Sequence, residues 1–242
     1  MGAYYQYAEY DEKKRKWFRY NVEGSFWKFL EHAYYHSPVV WHAISRLWKT
    51  PKNAVWLCDY HEGEIRWENT KMKKVKSFKI ITKVFSYYSS GTVLWFCSED
   101  EGKAINLNYA FNLQNEVMSI IGIREDPIHP IPLLLASDKD YMGGGDIWHP
   151  HKGDWAWQRV YVTDKNPGLA DVTIEMINPI FIEKPIDYNR ISKSSNSYFT
   201  PVLKEVDKGL ILGILRYRDE EWALIENKTL YSGYYIEISK VK

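Results

Sequence analysis

Apolar and polar positions alternate along the start of the chain, and the period then changes. Residues 3–10 read as a strand and 16–22 as its hairpin partner, with the charged run 11–15 as the turn. At Gly24-Ser25 the spacing shifts toward the helical period. Ser25 is expected as an N-cap, and Phe26, Phe29, Leu30 and Ala33 recur at helical intervals. Pro38 would break a continuous helix. Ser37-Pro38 therefore reads as the N-cap and first-turn proline of a second helix, running to about Trp48 and ended by Thr50-Pro51-Lys52-Asn53. Residues 54–60 (AVWLCDY) read as a buried strand ending in an acid. Further strands are expected over 78–88, 92–98 and 104–113, with 98–102 as a hairpin turn, and a short one over 158–162. Residues 128–153 carry Pro, Gly and His and are only partly regular. Residues 184–201 look like a linker, and 210–216, 222–226 and 230–239 like a β meander.

The pattern defines an α+β fold, mostly antiparallel β, with two consecutive helices near the N-terminus. Residues 1–185 are expected to form its core. Residues 186–242 are expected to supply a linker and a C-terminal meander packed on that core.

Composition narrows the class. At 242 residues and 45% hydrophobic content the chain can bury a core and is not a disordered segment. Lys and Arg number 32 against 31 Asp and Glu, so no global charge favours nucleic acid or an anionic membrane. A local basic patch stays open. No apolar run reaches the roughly 18 residues of a membrane-spanning helix. Met1-Gly2-Ala3-Tyr4 leads into the first strand with no signal-peptide pattern, and Gln6 stands where a myristoylation motif has Ser or Thr. The expected location is the cytoplasm, with Cys58 and Cys97 as buried, reduced thiols. Aromatic residues make up 16% of the chain, which suits strands and also supplies stacking surfaces.

Three constellations could carry chemistry. His32 and His36 are four apart, a spacing that can hold a metal on one helix face, but no third ligand is marked, and a hydrogen-bonded structural histidine is the commoner outcome. Asp59 ends an apolar strand, which presents a carboxylate at a sheet edge or caps a turn. Gly143-Gly144-Gly145-Asp146, followed by His149-Pro150-His151-Lys152, offers backbone amides and cations to an anion. It lacks P-loop spacing. A nucleophile elbow, HExxH and CxxC are all missing from the chain, and nothing calls for a cofactor or a metal.

Six segments, in order, resemble a family encoded by bacteriophages and prophages. Its members begin Met-Gly-Gln-Tyr-Tyr and carry a K-L-M-E-H helix, an R-V-V-W-A-G-D-Y strand, an H-P-L-P-L-L segment, a G-R-G-G-G-D loop and a G-S-W-A-R-D turn. The counterparts here are Met1-Gly2-Ala3-Tyr4-Tyr5, Phe29-Leu30-Glu31-His32, Ala54-Val55-Trp56-Leu57-Cys58-Asp59-Tyr60, His129-Pro130-Ile131-Pro132-Leu133-Leu134, Gly143-Gly144-Gly145-Asp146 and Gly153-Asp154-Trp155-Ala156-Trp157. The likeness runs to about residue 157 and fades after 183. The family's loop arginine is replaced around Tyr141-Met142, its Arg-Asp by Trp157-Gln158, and an Asn-His pair by Phe96-Cys97-Ser98. The resemblance implies a phage-encoded context, hence the host cytoplasm, and no particular chemistry.

The leading expectation is an accessory protein that binds a small anionic ligand, such as a nucleotide, or a host protein, without catalysis, and counters host defence. A hydrolase of a nucleotide or phosphoester is the alternative, using Glu31, His32, Asp59, His129 and Asp146. A purely structural or interaction protein is the third. The expected site brings Gly143, Gly144, Gly145, Asp146 and His129 together with Glu31, His32, Asp59 and Tyr60, with Tyr60 and Trp155 as flat walls. In the competing view Glu31 and His32 only fasten the loop to the core.

Overall fold

The alternation of residues 4–11 and 16–22 builds the first hairpin, β1 (Tyr4–Asp11) and β2 (Lys16–Val22), paired antiparallel. A computed structural model describes residues 3–22, 27–75, 92–121, 127–139, 149, 151–176, 199–206, 209–216, 222–231 and 234–236. The remaining elements are β3 (Trp27–Lys28), α1 (Phe29–His32), α2 (Pro38–Leu47), β4 (Lys52–Cys58), a 3-10 turn (Trp67–Asn69), β5 (Lys71–Val75), β6 (Trp95–Ser98), β7 (Lys103–Asn106), α3 (Leu107–Ile121), α4 (Pro130–Leu135), β8 (Arg159–Thr163), β9 (Ala170–Asp171), α5 (Thr173–Met176), β10 (Phe199–Val206), β11 (Gly209–Arg216), β12 (Trp222–Tyr231) and β13 (Tyr234–Ile236).

One sheet runs β5-β2-β1-β4-β8-β6-β7-β9, with β3 added to β1. Its pairs are antiparallel except β2 with β5 and β7 with β9. A second sheet, β10-β11-β12-β13, is an antiparallel meander. The α+β class, mostly antiparallel, is what the pattern implied. Among the described residues no helix is long and apolar enough to cross a membrane.

β1 and β4 are buried on both faces; β4 reads as a near-continuous apolar run, while β1 keeps polar residues in its pattern and buries Gln6 and Glu9 among its tyrosines. On one face Tyr5, Tyr7, Tyr20 and Trp56 join the main core with Phe29, Val40, Ile44, Leu47 and Leu134. On the other, Ala8, Val55 and Leu57 form a small cluster under Trp17, Trp67, Ala156 and Trp157.

The two helices near the N-terminus are separated as Pro38 requires. Ser37 Oγ accepts from Val39 N at 3.3 Å, Pro38 opens α2, and Lys49 reverses the chain after it at φ +51°. α1 is a single turn and does not start at Ser25. Its N-cap is Lys28, because Trp27–Lys28 is held as a strand on β1. Ser25 and Phe26 lie outside the described residues.

Residues 104–113, expected as a strand, divide after Asn106. Asn106 Oδ1 accepts from Tyr109 N at 2.9 Å, starting α3, and Leu107, Ala110 and Leu113 then fall on one buried face. The N-cap asparagine overrides the apparent strand. The HPIPLL segment is a buried turn of helix, α4. β12 runs on to Tyr231 where the pattern ends it at 226, and β13 falls within the expected 230–239. The lysine-rich β5, outermost in its sheet among the described residues, is a strand the pattern does not mark. The strand expected over 78–88, the boundary at 185, and most of the linker lie outside the described residues.

Gly153 shows where the backbone is constrained. It sits at φ +78°, and a Cβ there would lie 2.5 Å from the carbonyl oxygen of Ala136. Gly102 has a similar φ of +65° in open space. Gly102→Ala should therefore cost about 1 kcal/mol, the left-handed strain alone. Gly153→Ala should cost roughly 2–5 kcal/mol, strain plus overpacking. Equal losses in urea unfolding would contradict this placement.

Candidate functional site

The residues singled out from sequence are mostly spent on holding the backbone. Glu31 is exposed, and its Oε2 accepts from Lys28 N at 2.8 Å, capping α1. Asp59 Oδ1 accepts from Tyr4 N at 2.9 Å, and Asp59 N donates to Tyr4 O, closing the end of the β1–β4 ladder. His32 is buried, and its Nε2 accepts from Trp56 Nε1 at 2.6 Å, with the two rings stacked. Burial pushes the His32 pKa down to about 3, against a smaller opposing effect of the Lys28 backbone. His129 caps α4 through Nδ1, which accepts from Ile131 N at 3.1 Å, and its burial also lowers its pKa to about 3.

Trp155 is a core residue packed on Phe96 at 5.1 Å between centroids, not an open wall. Tyr60 is exposed. Gly143, Gly144, Gly145 and Asp146 lie outside the described residues. α1 ends at His32, so His36 does not share its helix face. His36 instead stacks on Tyr34. Among the described residues no three His, Cys, Asp or Glu side chains are grouped to hold a metal ion. Cys58 and Cys97 are free and buried, and burial pushes their thiols up to about 12 and 11.

Downstream of the glycines, the turn at 151–157 is tied to α4 by hydrogen bonds from Gly153 N to Leu133 O and from Trp155 N to Leu134 O, both 2.9 Å. It buries Lys152, whose Nζ lies 5.8 and 5.7 Å from the Tyr5 and Phe29 ring centroids. Asp154 accepts from Lys139 at 2.5 Å and contacts His151 Nδ1 at 2.9 Å. Burial opposes ionisation of Asp154, and these two partners outweigh it, keeping its carboxyl below the usual range.

A denser polar constellation was not marked by sequence. Glu9, near the end of β1, is 3% exposed. Its carboxylate accepts from Tyr20 OH at 2.6 Å, Tyr7 OH at 3.3 Å, both Nε and Nη2 of Arg46, and Lys52 Nζ at 3.3 and 3.2 Å. Burial alone would raise the Glu9 pKa. The hydrogen bonds from Arg46 and Tyr20 and the charges of Arg46 and Lys52 lower it instead. The same carboxylate raises the pKa of Arg46, while burial foremost raises that of Tyr20. Lys73, on β5, reaches Tyr20 OH at 3.4 Å and lies 3.7 Å from the centroid of Phe18. His42, one helical turn before Arg46, stands 5.1 Å from the Tyr20 ring. Burial, with Arg46 nearby, pushes its pKa down to about 4.

Comparison with family models, with curated proteins and with solved structures finds no match. The functional reading therefore rests on the geometry and on the motifs quoted above.

The buried histidines make stability depend on pH. His32, His42 and His129 have folded pKa values of about 3, 4 and 3, below the ordinary 6.5. The unfolded chain therefore binds protons that the folded chain refuses. The stabilisation is complete above pH 6.5 and is lost as pH falls toward about 4 for His42 and about 3 for His32 and His129, at up to about 1.4 kcal/mol per pH unit for each histidine. Urea unfolding at pH 7 and pH 5 checks this, and a flat profile contradicts it.

Proposed function

We propose that this protein is a phage- or prophage-encoded accessory protein that works by binding an anionic partner in the host cytoplasm, and that it counters host defence without catalysing a reaction. The observation that carries the binding reading is a segregation of charge. β2 (KWFRYNV), β5 (KMKKV) and α2 (PVVWHAISRL) contain no acidic residue.

Register brings their cations together. Phe18 faces Lys71 and Tyr20 faces Lys73 across β2 and β5, while Lys16 faces Asp11 across the hairpin. Lys14 lies 5.3 Å from the Phe18 ring, and Arg46 and Lys52 converge on Glu9. Lys14, Lys16, Lys71, Lys73, Arg46 and Lys52 thus border one end of the sheet with only Glu9 and Asp11 as carboxylates among these positions. A chain of net charge +1 concentrates positive potential there, which raises the local concentration of anions and speeds their capture.

The non-catalytic part of the reading draws support from the site residues themselves. Glu31, Asp59 and His129 each satisfy a backbone donor, and His32 accepts from Trp56. A hydrolase would need these groups turned to a substrate. The phage context rests on the motif resemblance alone.

The test is binding of polyphosphate to the purified protein at about 50 and 200 mM salt. Affinity should fall steeply with salt, as it does when cations displace counterions from a polyanion. The Lys14→Glu/Lys71→Glu double variant should bind far more weakly with unchanged melting temperature. Absence of binding at the lower salt, or binding indifferent to the charge reversal, would overturn the reading.

A further inference from the structure

We propose that Arg46, Lys52 and Lys73, gathered around Glu9 and Tyr20, form a site for the dianionic phosphate of a small phosphate monoester. The inference rests on the anion-binding reading above and assigns it a place and a ligand class.

The argument starts from the buried carboxylate. Glu9 accepts six hydrogen bonds, from Tyr7, Tyr20, two nitrogens of Arg46 and, at both oxygens, Lys52. A carboxylate offers about four lone-pair directions, so Glu9 is saturated. It neutralises one charge. Among the described residues bonded in the cluster, three cations less one carboxylate leave two positive charges. Burial foremost lowers the pKa of Lys52, and the charges of Arg46 and Lys73 add to this against the opposing pull of Glu9.

Donors also remain. The guanidinium of Arg46 carries five N–H bonds and each ammonium three. Arg46 spends Nε and Nη2 on Glu9, and Lys73 spends one N–H on Tyr20 OH. Arg46 and Lys52 side chains are 36% and 19% exposed, so the unused donors border solvent rather than sealed core. An independent sign of unmet bonding is His42. It is 5% exposed, and its Nε2 has no hydrogen-bond partner among the described residues.

Charge and geometry select the ligand. A phosphate monoester carries roughly −1.5 to −2 at neutral pH, which matches the surplus. A diester carries half of that and leaves one cation unmatched. The cations are also held in place before any ligand arrives. Glu9 fixes Arg46 and Lys52, and the rings of Phe18 and Tyr20 carry Lys73, 3.7 and 5.3 Å away. A preset fork of donors loses little freedom on binding.

The experiment is calorimetric titration of the full chain with phenyl phosphate, with methyl phenyl phosphate as the diester, and with a single-stranded oligonucleotide lacking a terminal phosphate. Phenyl phosphate should bind at least roughly tenfold more tightly than the diester. Lys73→Gln should weaken it by roughly tenfold or more, as expected for a lost charge-assisted hydrogen bond. Lys165→Gln, on the turn after β8, should change it by less than about twofold. Melting temperatures should stay within a few degrees of the parent, which keeps Lys73→Gln informative even if Lys52 or Arg46 variants fail to fold.

Polyphosphate binding that survives Lys73→Gln, with no phenyl phosphate bound, would overturn this site and leave the anion-binding reading standing. Equal affinity for monoester and diester, or tighter binding of the oligonucleotide, would overturn the ligand class. Failure to bind any of these anions, polyphosphate included, would overturn both.

Discussion

A carboxylate in the interior must be matched or it will not stay ionised, and that constraint organises one end of this molecule. Glu9 is buried on β1, and its partners come from β1 itself, β2, α2 and β4. A buried ion pair is weak evidence of net stability, since desolvation offsets most of the attraction. It is strong evidence of fixed geometry, because removing either side leaves a stranded charge. Glu9 therefore pins α2 to the sheet through Arg46 and sets the register at which Lys52 enters β4.

The two-sided burial of β1 and β4 explains why the charge collects there. Both strands are apolar over most of their length and covered on both faces. Their charged residues, Glu9, Asp11 and Lys52, stand toward one end of these strands, and lysines line β5, the outermost strand of the sheet among the described residues. The opposite end of the β1–β4 ladder is closed by Asp59, whose side-chain Oδ1 accepts from Tyr4 N and whose backbone N–H donates to Tyr4 O. Basic residues thus gather at one end without disturbing a nearly neutral overall balance.

Local signals in the sequence carried the fold further than the site. The first hairpin follows from period-two alternation, and the break between α1 and α2 from Ser37-Pro38, because each rests on residues adjacent in sequence. α3 looks like a strand in sequence because Leu107, Tyr109, Phe111 and Leu113 fit a two-residue period, and Asn106 settles the matter only through its bond to Tyr109. β5 was missed because its lysines give no apolar rhythm. The Glu9 cluster was invisible for a different reason. Arg46 and Lys52 stand 37 and 43 residues from Glu9, and nothing local distinguishes a strand glutamate facing solvent from one facing a helix. Conversely, Glu31, His32, Asp59 and His129 looked chemical because short polar residues at the ends of apolar segments serve catalysis and capping alike.

The central claim is that Glu9 is an ionised, saturated carboxylate under surplus positive charge. Carbon-13 NMR of its side-chain carboxyl, followed through acid pH with and without phenyl phosphate, tests this most directly. The account predicts a midpoint below the ordinary carboxylate value in the free protein. It also predicts an upward shift when the anion adds negative charge beside it. A midpoint at or above the ordinary value, unchanged by the anion, would contradict it.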